Sequence, residues 1–231
     1  MERYVLFGDL NTYADCGFIL QEKTINPPEP KTNYVEIDGA DGAIDLTEAL
    51  SGEIRYRNRT ATFVFWTDEG SYEDRVNVVR TFRRTVHGKK MHIVEPDDPN
   101  TYMIGRVIIT EEFHDLAYST VTIECICDPF RMSNEIKSQT ITLTKSASNI
   151  PVEIINTGDK TIAPIIEVLS VHNPVRIVQD GMTVAVISEE ESTVKVNAVK
   201  IKPGTNIIII NTYMGSLSSV PVKITTQEAY L

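Results

Sequence analysis

From residue 140 onward the chain is a succession of short β-branched runs separated by turns, a rhythm that admits few folds. TITLT, PVEIIN, APIIEVL, VRIVQ, MTVAVI, TVKVNAVKI, NIIIIN and VPVKITT follow one another at intervals of about ten residues, the spacing of an antiparallel sheet protein. NTGDK, Asp180–Gly181 and KPGTN supply turns, and an Asp-Gly pair between two β-rich segments is a tight-hairpin signal. No helical stripe competes in this half. Residues 131–231 therefore read as an all-β sandwich.

The first half is different. RTATFVFWT alternates, with Ala61, Phe63 and Phe65 on one face and Thr60, Thr62, Val64 and Trp66 on the other, which predicts a strand. Ser71 and Asp74 predict a helix start and Gly88 its stop. Between them Tyr72, Val76, Val79, Phe82 and Val86 form an apolar stripe at spacings of three and four, with Arg75, Arg80, Arg83 and Arg84 expected on the solvated or salt-bridged surface. ERYVLF, GFILQEKTI and AYSTVTIECI read as further strands, and YVEI leads into residues 36–45. MHIVE and TYMIGRVII, joined by PDDPN, read as a β-hairpin. One helix among several strands makes residues 1–130 an α+β domain.

Charge divides the chain at the same place. Residues 1–130 hold 13 Lys/Arg against 23 Asp/Glu, and residues 131–231 hold 9 against 9, so all of the net −10 lies in the first half. A surplus of carboxylate argues against wrapping nucleic acid. The longest aliphatic run is Ile207–Ile210, far short of the roughly 20 residues of a membrane span. MERYVLFGDL has neither a basic leader nor a long apolar stretch, which predicts a chain that stays in the cytoplasm where it is made. Cys16, Cys125 and Cys127 lack metal-ligand spacing and read as structural thiols; Cys125 and Cys127 share one face of a strand.

The segment EIDGADGAID, residues 36–45, is the one candidate for chemistry. An EF-hand counted from Asp38 would need an oxygen ligand at Ala40 and glutamate at Ala49; counted from Asp41 it would need them at Ala43 and Gly52. Both registers fail, and the lysine of a phosphate loop is missing. An irregular calcium cluster stays open. The alternative is a shaped loop, in which Gly39 and Gly42 provide backbone freedom and Asp45 caps a turn at LTEA, with Glu48 in the capping-box position. Nucleophile elbows, zinc-protease and dinucleotide motifs are absent, and His87, His92, His114 and His172 are scattered.

The longer stretch IDGADGAIDLTEALSGEIRYRNRTATFVF resembles a pattern of the distal tail proteins of long-tailed bacteriophages and related prophages. That pattern is an isoleucine, a GxDG turn, then DLT, a glycine, an aromatic residue and an Asn-Arg pair leading into a strand. Here it comprises Ile37, Gly39, Asp41, Gly42, Asp45, Leu46, Thr47, Gly52, Tyr56, Asn58 and Arg59, with Asp38 where the family often has proline. DCGFILQEKTINPPEPK, CDPF, IINTGDKTIAPIIEV, IKPGTNIIII and ITTQEAYL fit the family in order, so the resemblance spans nearly the whole chain.

The resemblance implies a structural virion protein rather than an enzyme. The first domain would be split-β-barrel-like, with one helix and a hairpin, and would form a homohexameric ring. The second would be a galectin-like or carbohydrate-module-like sandwich projecting outward. The ring would join the tail tube protein to a tail-tip or tail-associated protein of the baseplate hub. It would be assembled in the host cytoplasm, with DNA only in passage through its channel, no membrane insertion and no cofactor. An acidic channel wall would keep phosphates from sticking. Strand edges in residues 55–66 and the hairpin near residues 91–109 are the expected ring contacts, with the EIDGADGAID loop shaping that junction.

Two other classes compete. A binding module for host-surface carbohydrate would need exposed rings, and Tyr213 and Tyr230 are the only aromatic residues in 131–231. A wall-degrading hydrolase would need an acid/base pair that no spacing in the chain suggests.

Overall fold

A computed structural model describes residues 3–49, 51–170, 173–188 and 192–231; His172 lies outside them. The chain forms two units, Met1–Arg131 and Met132–Leu231. In the first, the elements are β1 (Leu6–Phe7), β2 (Leu10–Asn11), β3 (Ile19–Ile25), β4 (Tyr34–Glu36), β5 (Ala43–Asp45), β6 (Arg59–Thr67), α1 (Tyr72–Val86), β7 (Lys90–Val94), β8 (Thr101–His114) and β9 (Ser119–Cys127). The second holds β10 (Arg131–Thr144), β11 (Asn149–Asn156), β12 (Ile165–Val168), β13 (Val175–Gln179), β14 (Met182–Ile187), β15 (Thr193–Lys195), β16 (Gly204–Thr212) and β17 (Ser219–Tyr230).

An antiparallel sheet in the order β3-β6-β9-β8-β7-β1-β2 carries the first unit. The period-2 pattern of β6 becomes burial without a break: Arg59, Ala61, Phe63, Phe65 and Thr67 face inward. Phe63 and Phe65 join Phe7, Phe18 and Phe82 in a cluster of rings, several meeting edge to face, with Phe18 and Phe82 5.1 Å apart at 89°. Cys125 and Cys127 lie on this core, fully buried. Burial pushes both thiols up, Cys127 to about 11, so neither is a thiolate near neutral pH.

Helix α1 starts where its capping box requires. The Ser71 hydroxyl accepts from Asp74 N and the Asp74 carboxylate accepts from Ser71 N. It ends at His87, and Gly88 takes φ +77° to turn the chain into β7. The buried stripe is Arg75, Val79, Phe82 and Val86. Tyr72, expected on that stripe, is exposed and packs edge-on against His114, whereas Arg75, expected in solvent, is buried.

In the second unit β11-β16-β13-β14 form one antiparallel sheet, and β15-β12-β17-β10 are neighbours in another. Val152, Ile154, Ile177, Ile208 and Ile210 from the first meet Leu143, Ile166, Val168, Val222 and Ile224 from the second in an aliphatic core without an aromatic ring. The β13–β14 turn places Asp180 at φ 51° and Gly181 at φ 77°, the left-handed pair that suits the twist of a two-residue hairpin. The predicted long strand TVKVNAVKI contracts to Thr193–Lys195. Val196, Val199 and Ile201 are buried out of period-2 phase, and the chain turns between them, Val199 N donating to Val196 O.

Candidate functional site

Residues 34–46 form an arm. β4 and β5 pair with Tyr34 opposite Asp45, Val35 opposite Ile44 and Glu36 opposite Ala43, and among the described residues they pair with no other strand. Val35 and Ile44 therefore share a face, and Ile37 and Leu46 continue the alternation beside them. These four aliphatic residues are 38–49% exposed. Burying a Val or Ile side chain is worth about 1.5–3 kcal/mol, a gain the arm leaves unrealised. An isolated two-stranded hairpin is marginal in water.

The rest of the motif shapes and anchors the arm. Gly39 and Gly42 take φ of +86° and +74° at its tip, conformations that a side chain would strain. Asp45 Oδ1 accepts from Thr47 N (2.9 Å), and Thr47 Oγ1 accepts from Asn33 N (3.0 Å), locking the return strand to the outgoing chain. Thr47 holds the exposed Asp45 carboxyl below its ordinary range. LTEA makes a turn, with Ala49 N donating to Leu46 O, and Gly52 N closes the next turn on Glu48 O. At the base Tyr56 meets Phe130 edge-on at 5.6 Å, and Arg59 Nε donates to Pro129 O (2.9 Å); Asn58 faces solvent. Ion pairs continue this anchor. Glu95, nearly buried, takes Lys23 and Arg131, and Arg131 also reaches Asp98 at 3.2 Å.

Neither β6 nor β7 offers a free edge. β6 is bonded along its length to β3 on one side and β9 on the other, and β7 lies between β1 and β8. The expectation of open strand edges in residues 55–66 is corrected from Arg59 onward by this pairing. An apolar groove of about 410 Å³ opens instead beside α1, lined by Leu10, Cys16, Val78 and Phe82 with Thr81 and Thr85. Arg80 and Arg84 stand exposed on the same helix, whereas Arg83 pairs with Glu112 at 2.9 Å.

Arg75 is the buried exception among the helix arginines. Its guanidinium donates to Gly70 O (2.7 Å), Asp115 O (3.0 Å) and Leu116 O (2.7 Å), tying the helix start to the β8–β9 turn. The histidines have local partners. His87 Nδ1 accepts from Ile109 N, His92 stacks on Tyr102 and His114 Nδ1 meets the Ser119 hydroxyl. Among the described residues no group of three or more His, Cys, Asp or Glu could hold a metal ion. No helix among them is long and apolar enough to cross a membrane.

In the second unit Tyr213 is 80% exposed directly after β16, and Tyr230 closes β17. The twelve residues of β17 extend about 40 Å at 3.3 Å per residue and carry Tyr230 at the end away from Tyr213, so the two rings do not form one platform. The Tyr230 hydroxyl is engaged, donating to Glu228 Oε2 at 2.9 Å. Glu228 also accepts from Lys137 Nζ (2.8 Å), Thr157 N (2.7 Å) and the Thr157 hydroxyl (2.8 Å).

No family model and no curated relative matches the chain. Among solved structures it is similar to the Dit protein (gp 19.1) of SPP1, described as a paradigm of hub adsorption apparatus in phages infecting Gram-positive bacteria. The match covers 99% of both chains at a TM-score of 0.68 and 16% sequence identity. The chain has the distal tail protein fold. Within that fold, three features were not read from the sequence: the burial of Arg75, the buried Glu228 cluster and the contact at Gly158. A Cβ on Gly158 would stand 2.5 Å from Ala229 O, so the turn NTGDK needs glycine for close backbone approach. An Asn-x-Gly turn ahead of a strand was its only signal.

Proposed function

We propose that this protein is a structural component of a phage tail, a hub subunit that forms a hexameric ring between the tail tube and the host-facing tip or baseplate. The observation that carries the reading is the likeness to a hub adsorption protein over 99% of both chains, at an identity of 16%. The first unit, residues 1–130, is the ring former in this reading, with a split-barrel-like sheet. The second, residues 131–231, is the outward sandwich of galectin-like or carbohydrate-module-like kind. The ring sits in the virion tail, assembles in the host cytoplasm, binds tube and tip proteins on its two faces and passes DNA through its centre. The role is structural, with no catalysis.

The excess of 23 acidic over 13 basic residues in 1–130 suits a channel wall that repels DNA. Light scattering of the purified chain followed by negative-stain imaging tests the reading. Six-fold rings with a central opening are the expected result, with the acidic surface facing the opening. Acids mainly on the outer rim would remove the channel argument.

A second reading rests on Tyr213, whose ring stands 80% exposed. A stacked sugar would use such a ring. Glycan-array binding that disappears in Tyr213→Ala would favour a carbohydrate-recognising tail-tip or baseplate module; silent arrays would leave the hub reading alone.

A further inference from the structure

Two features of the first unit complement each other. The arm presents Val35 and Ile44 on one face, with Ile37 and Leu46 next to them in sequence, all exposed. Between residues 36 and 48 it carries five acids, Glu36, Asp38, Asp41, Asp45 and Glu48, and no base. The helix groove offers Leu10, Cys16, Val78 and Phe82 as an apolar floor. Arg80 donates to Asn77 Oδ1 on its rim at 2.9 Å and Arg84 is exposed one turn further along the helix, while Asp15 is the carboxylate in its lining and accepts from Asn11 N at 2.8 Å.

We infer that the arm of one copy seats its aliphatic face in the α1 groove of the next copy, with the arm's acids against Arg80 and Arg84. The inference rests on the ring reading and supplies its contact. An apolar strip rimmed by one charge, meeting an apolar groove rimmed by the other, gives both a buried centre and a defined register. The contact joins two different patches, so it is heterologous and passes from copy to copy around a closed ring. It also explains why a hairpin too small to hold its own core exposes its apolar face. The groove is lined mainly by α1, which offers no strand edge, so subunits meet through side chains here and not by strand addition.

Cross-linking between two variants tests this. One full-length chain carries Ile44→Cys and the other Asn77→Cys on the groove, both in a Cys16→Ser background, with a short bismaleimide as the probe. A covalent dimer is expected only when the two chains are mixed. Arg80→Glu with Arg84→Glu should weaken self-association at least tenfold, and adding Asp38→Lys with Asp41→Lys should restore much of it. Wild-type oligomers without the mixed cross-link would overturn the arm contact and leave the ring reading standing. A wild-type chain that stays monomeric at every concentration, with no cross-link, would overturn both.

Discussion

Glu228 is 2% exposed and lies at the meeting point of four donors. Burial by itself would raise its pKa, but the bonds from Lys137, Thr157 and Tyr230 outweigh it and hold the carboxyl at about 2, against an ordinary 4.5. A carboxyl depressed in the folded state stabilises above its unfolded pKa, and that contribution is lost as pH falls from about 4.5 to about 2. The difference corresponds to about 3 kcal/mol at most. Glu228→Gln should therefore lower stability near neutral pH and flatten its acid dependence in that window. Urea unfolding at pH 7 and pH 3 measures both; parallel losses for variant and wild type would show that the cluster does not govern acid sensitivity. Nothing in the string ITTQEAYL marks Glu228 as buried. Three of its four donors sit about 70 and 90 residues earlier in the chain, at Thr157 and Lys137.

At the scale of elements, the helix and the strands next to it separate what is local from what is not. The limits of α1 follow from Ser71, Asp74 and Gly88, residues that act on their own turn, and β6 follows from strict alternation. Arg75 belongs to the other kind. It reads as one more surface arginine because the carbonyls it serves at Asp115 and Leu116 lie 40 and 41 residues away. Arg75→Ala should cost about 2–4 kcal/mol, since it leaves partly buried carbonyls without a charged donor. Arg75→Lys should recover only part, because a single ammonium lacks the guanidinium fork. Hydrogen exchange should quicken at residues 113–118 while the middle of β9 stays protected. Uniform quickening across β9 would mean that Arg75 supports the sheet and not the turn.

For the whole molecule, charge and exposed apolar surface bear on assembly more than on folding. The two cores are complete without the arm: one is built around Phe7, Phe18, Phe63, Phe65 and Phe82, the other from aliphatic residues alone. If neighbouring copies join through an acidic arm and a basic helix, salt should weaken the association in part. The Debye length shrinks from about 10 Å at 0.1 M to about 3 Å at 1 M ionic strength. Sedimentation across that range should show a severalfold loss of affinity but not its abolition, because burial of Val35, Ile37, Ile44 and Leu46 persists. Association strengthened by salt would point to a contact that is apolar without the charged rim.

Where a single turn or one period of the chain carries the instruction, the amino-acid order was enough: the alternation of β6, the capping box of α1, the Asp180–Gly181 hairpin and the series of short strands after residue 140. A β-rich fold with one helix follows from them. The tertiary structure decided which edges were covered, that Arg75 and Glu228 were buried, and that Gly158 lay against Ala229. It also decided that the EIDGADGAID segment stands as an exposed hairpin. Each of these depends on which distant residues come to lie side by side, and the periodicity of a segment carries no information about its neighbours in space.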